Sequence, residues 1–154
     1  MDFISIKPHH FIDIITHLGA GDRFDPHPYG HAVHTVAASI LGNPETSLRM
    51  ELGADDICLP CVRNIGGLCS DVIDISWRPD APSSKREWNL LIDRRWCERL
   101  GIAQGDCLTA RSFCELIRDR AGDITDIYRE ISPERSAERL CKLMRGIDLF
   151  LEKK

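Results

Sequence analysis

Three cysteines in one short, glycine-rich stretch constrain the fold of this 154-residue chain more than any other feature. Residues 55–71, here called the cysteine loop, read DDICLPCVRNIGGLCSD. Cys58 and Cys61 form a C-x2-C pair that can turn two thiolates toward one ion, and a Gly-Gly step lets the backbone bring Cys69 back to the same point. We therefore predict a metal-binding loop here rather than a helix or a long strand.

The chemistry of these thiols favours Zn²⁺ or an iron–sulfur cluster over Mg²⁺ or Ca²⁺. Two other interpretations remain open at this stage. The three thiols could be unrelated neighbours in a loop, or the C-x2-C pair could be a redox pair of the thioredoxin type. A pair of that type opens a helix inside a βαβ unit, whereas a glycine-rich segment follows Cys61, so the redox interpretation is disfavoured.

Length and charge limit the class of protein. A chain of this length can bury a core of its own, so we expect a single domain over residues 1–154. A net charge of -4 provides no basic surface, so nucleic acid is not an expected partner. The N-terminal segment has no long apolar run, so neither a signal peptide nor a membrane span is expected. These features predict a cytoplasmic protein, in which cysteines are thiols or ligands rather than disulfides.

Helical periodicity dominates the remaining sequence, and it predicts an α+β fold with more helix than strand. Helices are expected over residues 9–18, 26–42 with Asp25 as N-cap, 88–100, 110–121 with Thr109 as N-cap, and 132–153. Strands are expected at 3–6 and 47–52, a weaker strand at 72–77, and a polar surface loop at 78–87. The predicted fold is a mainly helical domain with a small two- or three-stranded sheet and a cysteine-bearing metal loop.

A fourth metal ligand is not obvious within the cysteine loop, but the first predicted helix offers candidates. His9, Asp13 and His17 are spaced one turn apart and therefore share a polar face, and His10 lies beside that face. Imidazole and carboxylate groups at this spacing suit a metal ion. The alternative is a solvated helix face, but the open position beside three thiolates favours the metal-binding interpretation.

A second histidine group lies on the second predicted helix. His27, His31 and His34 are spaced at i, i+4 and i+7, so a helix would project all three to one side. Three imidazoles with Asp22 or Asp25 nearby could hold Zn²⁺ or Fe²⁺. We prefer to interpret these residues as a histidine-bearing surface and keep a second metal site as the alternative.

The motifs described so far resemble a family of uncharacterised bacterial and archaeal proteins named domain of unknown function 1284. The matching segments are KPHH at 7–10, GAG at 19–21, DDICLPC at 55–61, Asp93, LGI at 100–102 and GD at 105–106. The resemblance covers roughly residues 4–117 and leaves out the 78–87 loop and the C-terminal helix. Members of the family are regarded as iron–sulfur binders without an established reaction.

The resemblance implies a set of ligands and one departure from the family pattern. It implies that the cluster ligands are Cys58, Cys61 and Cys69, with His9 and His10 at or next to the metal. The family has a cysteine where this chain has Asp13, so four thiolates become three thiolates with either a carboxylate or an open position. The expected cofactor is therefore an iron–sulfur cluster, with Zn²⁺ as the alternative.

Three classes of function are compatible with the sequence. The preferred class is a metal-binding protein with a redox, carrier or assembly role. The alternatives are a structural zinc protein with three cysteines plus a histidine or aspartate, and an enzyme that uses an open iron or zinc position with His9 or His10 as proton carrier. The sequence contains no phosphate loop, nucleophile elbow or dinucleotide motif, so it does not decide whether the protein is an enzyme.

Overall fold

The computed structural model describes residues 2–152, and within them it has five helices, a three-stranded sheet and a two-stranded sheet. The helices are α1 Pro8–Ala20, α2 Val33–Gly42, α3 Lys85–Leu100, α4 Ala110–Arg120 and α5 Pro133–Leu151. The strands are β1 Ile4–Ile6, β2 Ser47–Met50, β3 Asn64–Ile65, β4 Leu68–Cys69 and β5 Cys107–Thr109. The predicted α+β class with a small sheet is confirmed. The predicted end of the last helix at Lys153 lies outside the described residues.

The three-stranded sheet places the start of α1 beside the cysteine loop. Its order is β1-β2-β5, with β1 and β2 parallel and β2 and β5 antiparallel. Ser5 in β1 donates its backbone N–H to the Asp56 carboxylate over 2.9 Å, and the Asp56 N–H donates to the Ser5 carbonyl over 3.0 Å. The chain after β2 therefore stays attached to β1, which leads through Lys7 directly into α1.

Helices α1 and α5 form the most extensive helix pair, and they approach so closely that glycine is required at the crossing. A methyl group at Gly19 would collide with the carbonyl oxygen of Lys142, and one at Gly146 would collide with the carbonyl oxygen of Ile15. The core around this crossing is built from buried residues of all five helices and of β1 and β2. Within the described part of the chain, no helix has both the length and the apolar content to cross a membrane.

The helix starts that depend on local capping were predicted correctly. Thr109 accepts a hydrogen bond from the Ser112 backbone N–H over 3.0 Å, and Ser132 accepts one from Arg135 over 3.3 Å with proline at the first helical position. Helix α3 begins earlier than predicted, because the Ser84 hydroxyl accepts a bond from the Glu87 N–H. The predicted 78–87 loop therefore ends at residue 84.

The predicted start of the second helix was wrong. Residues 26–32 are not helical, and α2 begins only at Val33. The segment DPHPYG resists a helix because Pro28 disfavours the helical conformation at His27, and Gly30 adopts a left-handed φ of 73°. Residues 72–77 also form no strand, because the Asp74 carboxylate accepts a hydrogen bond from the Ser76 N–H and turns the chain.

Two short strand pairs were missed by the sequence analysis. Strand β5 pairs with β2, and β3 and β4 form a hairpin inside the cysteine loop. Gly66 and Gly67 lie at the tip of that hairpin with φ of 60° and 86°. The commonest two-residue hairpin turn requires two consecutive positive φ values, so the Gly-Gly pair could have predicted this hairpin from the sequence.

Candidate metal centre

The buried carboxylate of Asp55 organises the cysteine loop around the start of α1. The residue as a whole is only 1% exposed. One carboxylate oxygen accepts the Lys7 backbone N–H over 2.7 Å, and the other accepts the N–H groups of Ile57 and Cys58 over 3.1 and 3.0 Å. This carboxylate therefore fixes Cys58 against the first turn of α1. Asp55 lies in the motif DDICLPC, but the motif alone did not predict this role.

His10 completes a group that could hold a metal ion. Its Nδ1 lies 2.7 Å from Asp55 Oδ2, and one ligand atom each from His10, Asp55 and Cys58 lie within 4.8 Å of one another. Burial would raise the pKa of Asp55, but His10 and the Lys7 N–H outweigh burial and hold that pKa well below its usual range. An ionised Asp55 accepts the proton on Nδ1 of His10, which leaves Nε2 of the imidazole as a free electron-pair donor.

His9 forms a second histidine–aspartate pair next to the first. Its Nδ1 lies 2.9 Å from both carboxylate oxygens of Asp93 in α3, and its backbone N–H donates to the same carboxylate over 2.8 Å. Asp93 is fully buried, and the rings of His9 and His10 have centroids 4.4 Å apart. Both imidazoles are therefore held by a buried carboxylate at Nδ1.

The two imidazoles differ in their preference for a proton. Burial would lower the pKa of His9, but the Asp93 carboxylate raises it above its ordinary value. The pKa of His10 is lowered, first by burial and then by the charge of His9. His10 therefore favours the neutral form that a metal ion requires, whereas His9 favours the form that donates a proton.

Cys58, Cys61 and Cys69 are free, half-buried thiols that line one cavity of about 920 Å³, together with His9 and His10. We call this cavity the cleft. Burial, followed by the charge of Asp55, raises the pKa of the Cys58 thiol to about 11. Cys58 therefore keeps its proton at neutral pH unless a cation displaces it, and metal binding would release that proton.

The spacing of the three sulfurs bears on the kind of metal centre that fits. A single tetrahedral Zn²⁺ with Zn–S bonds of about 2.3 Å holds its sulfurs about 3.8 Å apart. Cys61 and Cys69 lie outside the close group formed by His10, Asp55 and Cys58, so the three sulfurs are not gathered at the spacing of one zinc ion. A cluster binds its cysteines through separate irons and tolerates a wider arrangement.

Asp13 forms an ion pair with Arg139 in this structure. It lines the cleft, but its carboxylate lies 3.2 Å from a guanidinium nitrogen of Arg139 and does not belong to the close metal-binding group. His17, one turn further along α1, lies 2.7 Å from Asp22, and both side chains are more than half exposed. The polar face of α1 is thus divided between His10, which belongs to the candidate metal-binding group, and ion pairs further along.

The second histidine group has a different arrangement from the one predicted. His27 and His31 lie in the segment before α2 with stacked rings 4.3 Å apart, and His34 lies in the first turn of α2. This segment packs on the cysteine loop, because Ala32 donates to the Ile57 carbonyl over 3.0 Å. The helical spacing that suggested a separate three-histidine site is therefore absent.

His31 instead lines the cleft. It lines the same cavity as the three cysteines, and its Nδ1 is buried without a hydrogen-bond partner among the described residues. Burial and the neighbouring His27 lower its pKa, which favours the neutral imidazole. A buried, unpartnered ring nitrogen costs free energy, and a metal ion at that nitrogen would remove this cost.

Comparison of the chain with protein-family models, with curated proteins and with solved structures gave no match. The resemblance to the family of unknown function therefore stays a prediction.

Proposed function

We propose that this protein binds an iron–sulfur cluster in the cleft and serves in electron transfer, cluster transfer or cluster assembly. The observation that carries the proposal is the close group of His10, Asp55 and Cys58, which opens into a cavity that Cys61 and Cys69 also line. Three thiols and neutral imidazoles form a soft donor set, which fits iron–sulfur clusters or Zn²⁺ rather than Mg²⁺ or Ca²⁺.

The proposed ligands are Cys58, Cys61 and Cys69, with the fourth position taken by an imidazole. His10 is our first choice, because Asp55 holds its Nδ1 and leaves Nε2 free, which is the usual arrangement of a carboxylate behind a metal-bound histidine. His31 is the second choice, because its Nδ1 has no other partner.

Two carboxylates near the cleft are less suited to the fourth ligand position than an imidazole. Asp55 already accepts hydrogen bonds from three backbone N–H groups and from His10, so we assign to it the orientation of His10 rather than coordination. Asp13 is the weaker candidate for the fourth position, because metal binding would have to displace Arg139 from its carboxylate. The resemblance to domain of unknown function 1284 remains part of this proposal.

A structural zinc site is the second candidate function. The short separation of His10 from Cys58 favours it, because imidazole and thiolate within 4.8 Å suit a single tetrahedral ion. In that arrangement the ion would join the first turn of α1 to the cysteine loop and would contribute directly to the stability of the fold.

Metal and sulfide analysis after purification without oxygen separates these candidates. We expect iron and acid-labile sulfide in the wild type, a brown colour, and loss of both elements in Cys58→Ser. The control is Cys141→Ser, because Cys141 is an exposed free cysteine on α5 outside the cleft, and this variant should keep its iron. Stoichiometric zinc without sulfide would support the zinc site and refute the cluster, and wild type without bound metal would refute both.

A further inference from the structure

Three arginines converge where α5 meets the loop between β4 and α3. Arg78 lies in that loop, and Arg135 and Arg139 lie one turn apart on α5. The guanidinium carbons of Arg78 and Arg135 both lie 4.2 Å from the centroid of the Trp77 ring, so they cannot be farther apart than twice that distance. We call Arg78, Arg135 and Arg139 the arginine group.

Aromatic rings hold these guanidinium groups in place. Arg78 also lies 5.3 Å from the centroid of Trp88, and Arg139 lies 4.6 Å from the centroid of Tyr128. A guanidinium group stacked on a ring keeps its N–H groups free at its edge, and little conformational freedom is left to lose on binding. The arginine group therefore presents ordered donors rather than freely moving side chains.

The positive charge of the arginine group is only partly balanced within the described residues. Arg139 contacts Asp13 at 3.2 Å, but neither Arg78 nor Arg135 forms an ion pair with any described carboxylate. The one hydrogen bond from the Arg78 side chain goes to the backbone carbonyl of Asp74, over 2.8 Å. Burial lowers the pKa of Arg78, the Asp74 carboxylate raises it, and the charges of Arg139 and Arg135 lower it again. Positively charged groups that are held close together are typical of an anion-binding site.

The arginine group borders the cleft that contains the cysteines and histidines. Arg78 and Arg139 line the cleft, and Arg135, Arg139 and Trp77 line an adjoining hollow of about 310 Å³, whose wall also includes Asp13, Asp22 and Glu138. The cleft wall carries further basic side chains but few acidic ones, although the whole chain has a net charge of -4. The basic residues are Lys7, Lys85, Arg86 and Arg94, and the acidic ones are Asp13 and Asp74.

We propose that the cleft binds a small anion that carries a carboxylate or phosphate group, and that the anion-binding site consists of Arg78, Arg135 and Arg139. Planar guanidinium groups bind both kinds of group through paired N–H donors. Asp13, which contacts Arg139, follows His9 by about one helical turn, so the contact between Asp13 and Arg139 lies roughly one turn along α1 from the histidine pair. This inference goes beyond the metal centre and does not depend on its occupancy.

Titration calorimetry with inorganic phosphate and with succinate, on the protein as purified, tests this proposal and separates the two chemistries. We expect saturable binding of at least one probe, with dissociation constants at or below about 1 mM. Binding of phosphate alone would indicate a phosphate ligand, and binding of succinate alone would indicate a carboxylate ligand. Binding of both would indicate an anion-binding site that accepts either group.

Arg78→Gln and Arg135→Gln should each weaken binding roughly tenfold or more, since each removes charge-assisted hydrogen bonds. Arg145→Gln is the matched control, because Arg145 is exposed on the same helix and lines neither cavity. Equal weakening in Arg145→Gln, or no saturable binding in the wild type, would overturn the proposal. Metal content and thermal unfolding of each variant show that the fold and the metal centre are unchanged, so failure of one proposal is distinguishable from failure of the other.

Discussion

At the scale of single residues, Asp55 joins two parts of the chain that are far apart in sequence. Its carboxylate is hydrogen-bonded to His10, 45 residues earlier, and to the neighbouring Cys58. The cysteines and the histidine pair were singled out in the sequence, because their residue types and spacing are typical of metal ligands. Asp55 and Asp93 were quoted only as parts of motifs and received no role, because a carboxylate behind a histidine is defined only by contacts over 45 and 84 residues.

Asp55→Asn should weaken metal binding about 10- to 100-fold, since loss of a carboxylate behind a metal-bound histidine has effects of that size. An amide cannot serve as an ionised acceptor for every N–H group that Asp55 now satisfies, so His10 would lose its fixed orientation. The measurement is competition with a chelator of known affinity.

Asp56→Asn is the control for this substitution, because the Asp56 side chain accepts a hydrogen bond from Ser5 and lies outside the close metal-binding group. It should leave metal affinity within about twofold of the wild type, a difference under 0.5 kcal/mol. Unchanged affinity in Asp55→Asn would contradict the role that we give to this carboxylate.

At the scale of helices and strands, elements fixed by neighbouring residues could be predicted from the sequence, whereas elements fixed by distant pairing could not. The N-caps Thr109 and Ser132 act through hydrogen bonds three residues away, so the sequence was sufficient to place α4 and α5. The start of α2 was wrong because the apolar periodicity was extended backwards through DPHPYG, where proline and glycine oppose a helix. Strand β5 was missed because three residues without a pattern of their own become a strand only when they pair with β2.

The crossing of α1 and α5 gives a prediction at this scale. Gly146→Ala should lower the free energy of unfolding by about 1–3 kcal/mol, because the new methyl group collides with the Ile15 carbonyl and forces the helices apart. Urea denaturation measures this change.

The control is Gly42→Ala in α2, where an added methyl group has no neighbour within 4 Å. This variant should be unchanged or more stable by up to about 1 kcal/mol, because alanine is the better helix former. Two glycine variants of equal stability would show that the helices can separate without cost.

At the scale of the whole molecule, stability should fall in acid. Away from the metal centre, hydrogen bonds and cations outweigh burial and lower the pKa of Asp71, Asp126 and Glu130. A carboxyl group with a lowered pKa in the folded state binds its proton more readily when unfolded. Its contribution to stability is therefore fully present above its ordinary pKa and is lost as the pH falls through the lower, folded-state value.

Glu130 offers the clearest test, because its carboxylate forms two hydrogen bonds with Arg95, at 2.7 and 2.8 Å, and is only 9% exposed. Glu130→Gln should cost about 1–3 kcal/mol at neutral pH, since the Arg95 charge loses its partner. The difference from the wild type should be constant above pH 4.5, the ordinary value for this group, and should shrink as the pH falls further. Urea denaturation at several pH values measures both effects.

Glu98→Gln is the matched control on α3, where the side chain is exposed, and it should change stability by no more than about 0.5 kcal/mol at any pH. A difference between Glu130→Gln and the wild type that persists in acid would mean that shape, rather than charge, makes the contribution of Glu130.

The close pairing of α1 with α5 also has a consequence for biosynthesis. Apolar residues of α1, among them Phe11, Ile12 and Ile15, are made more than a hundred residues before the core residues Leu143 and Ile147 of α5, the helix on which α1 packs. During translation this apolar face has no α5 to cover it, so the core can close only after α5 has left the ribosome. Pairing elements so distant in sequence slows folding, and the apolar face of α1 is open to aggregation until α5 arrives.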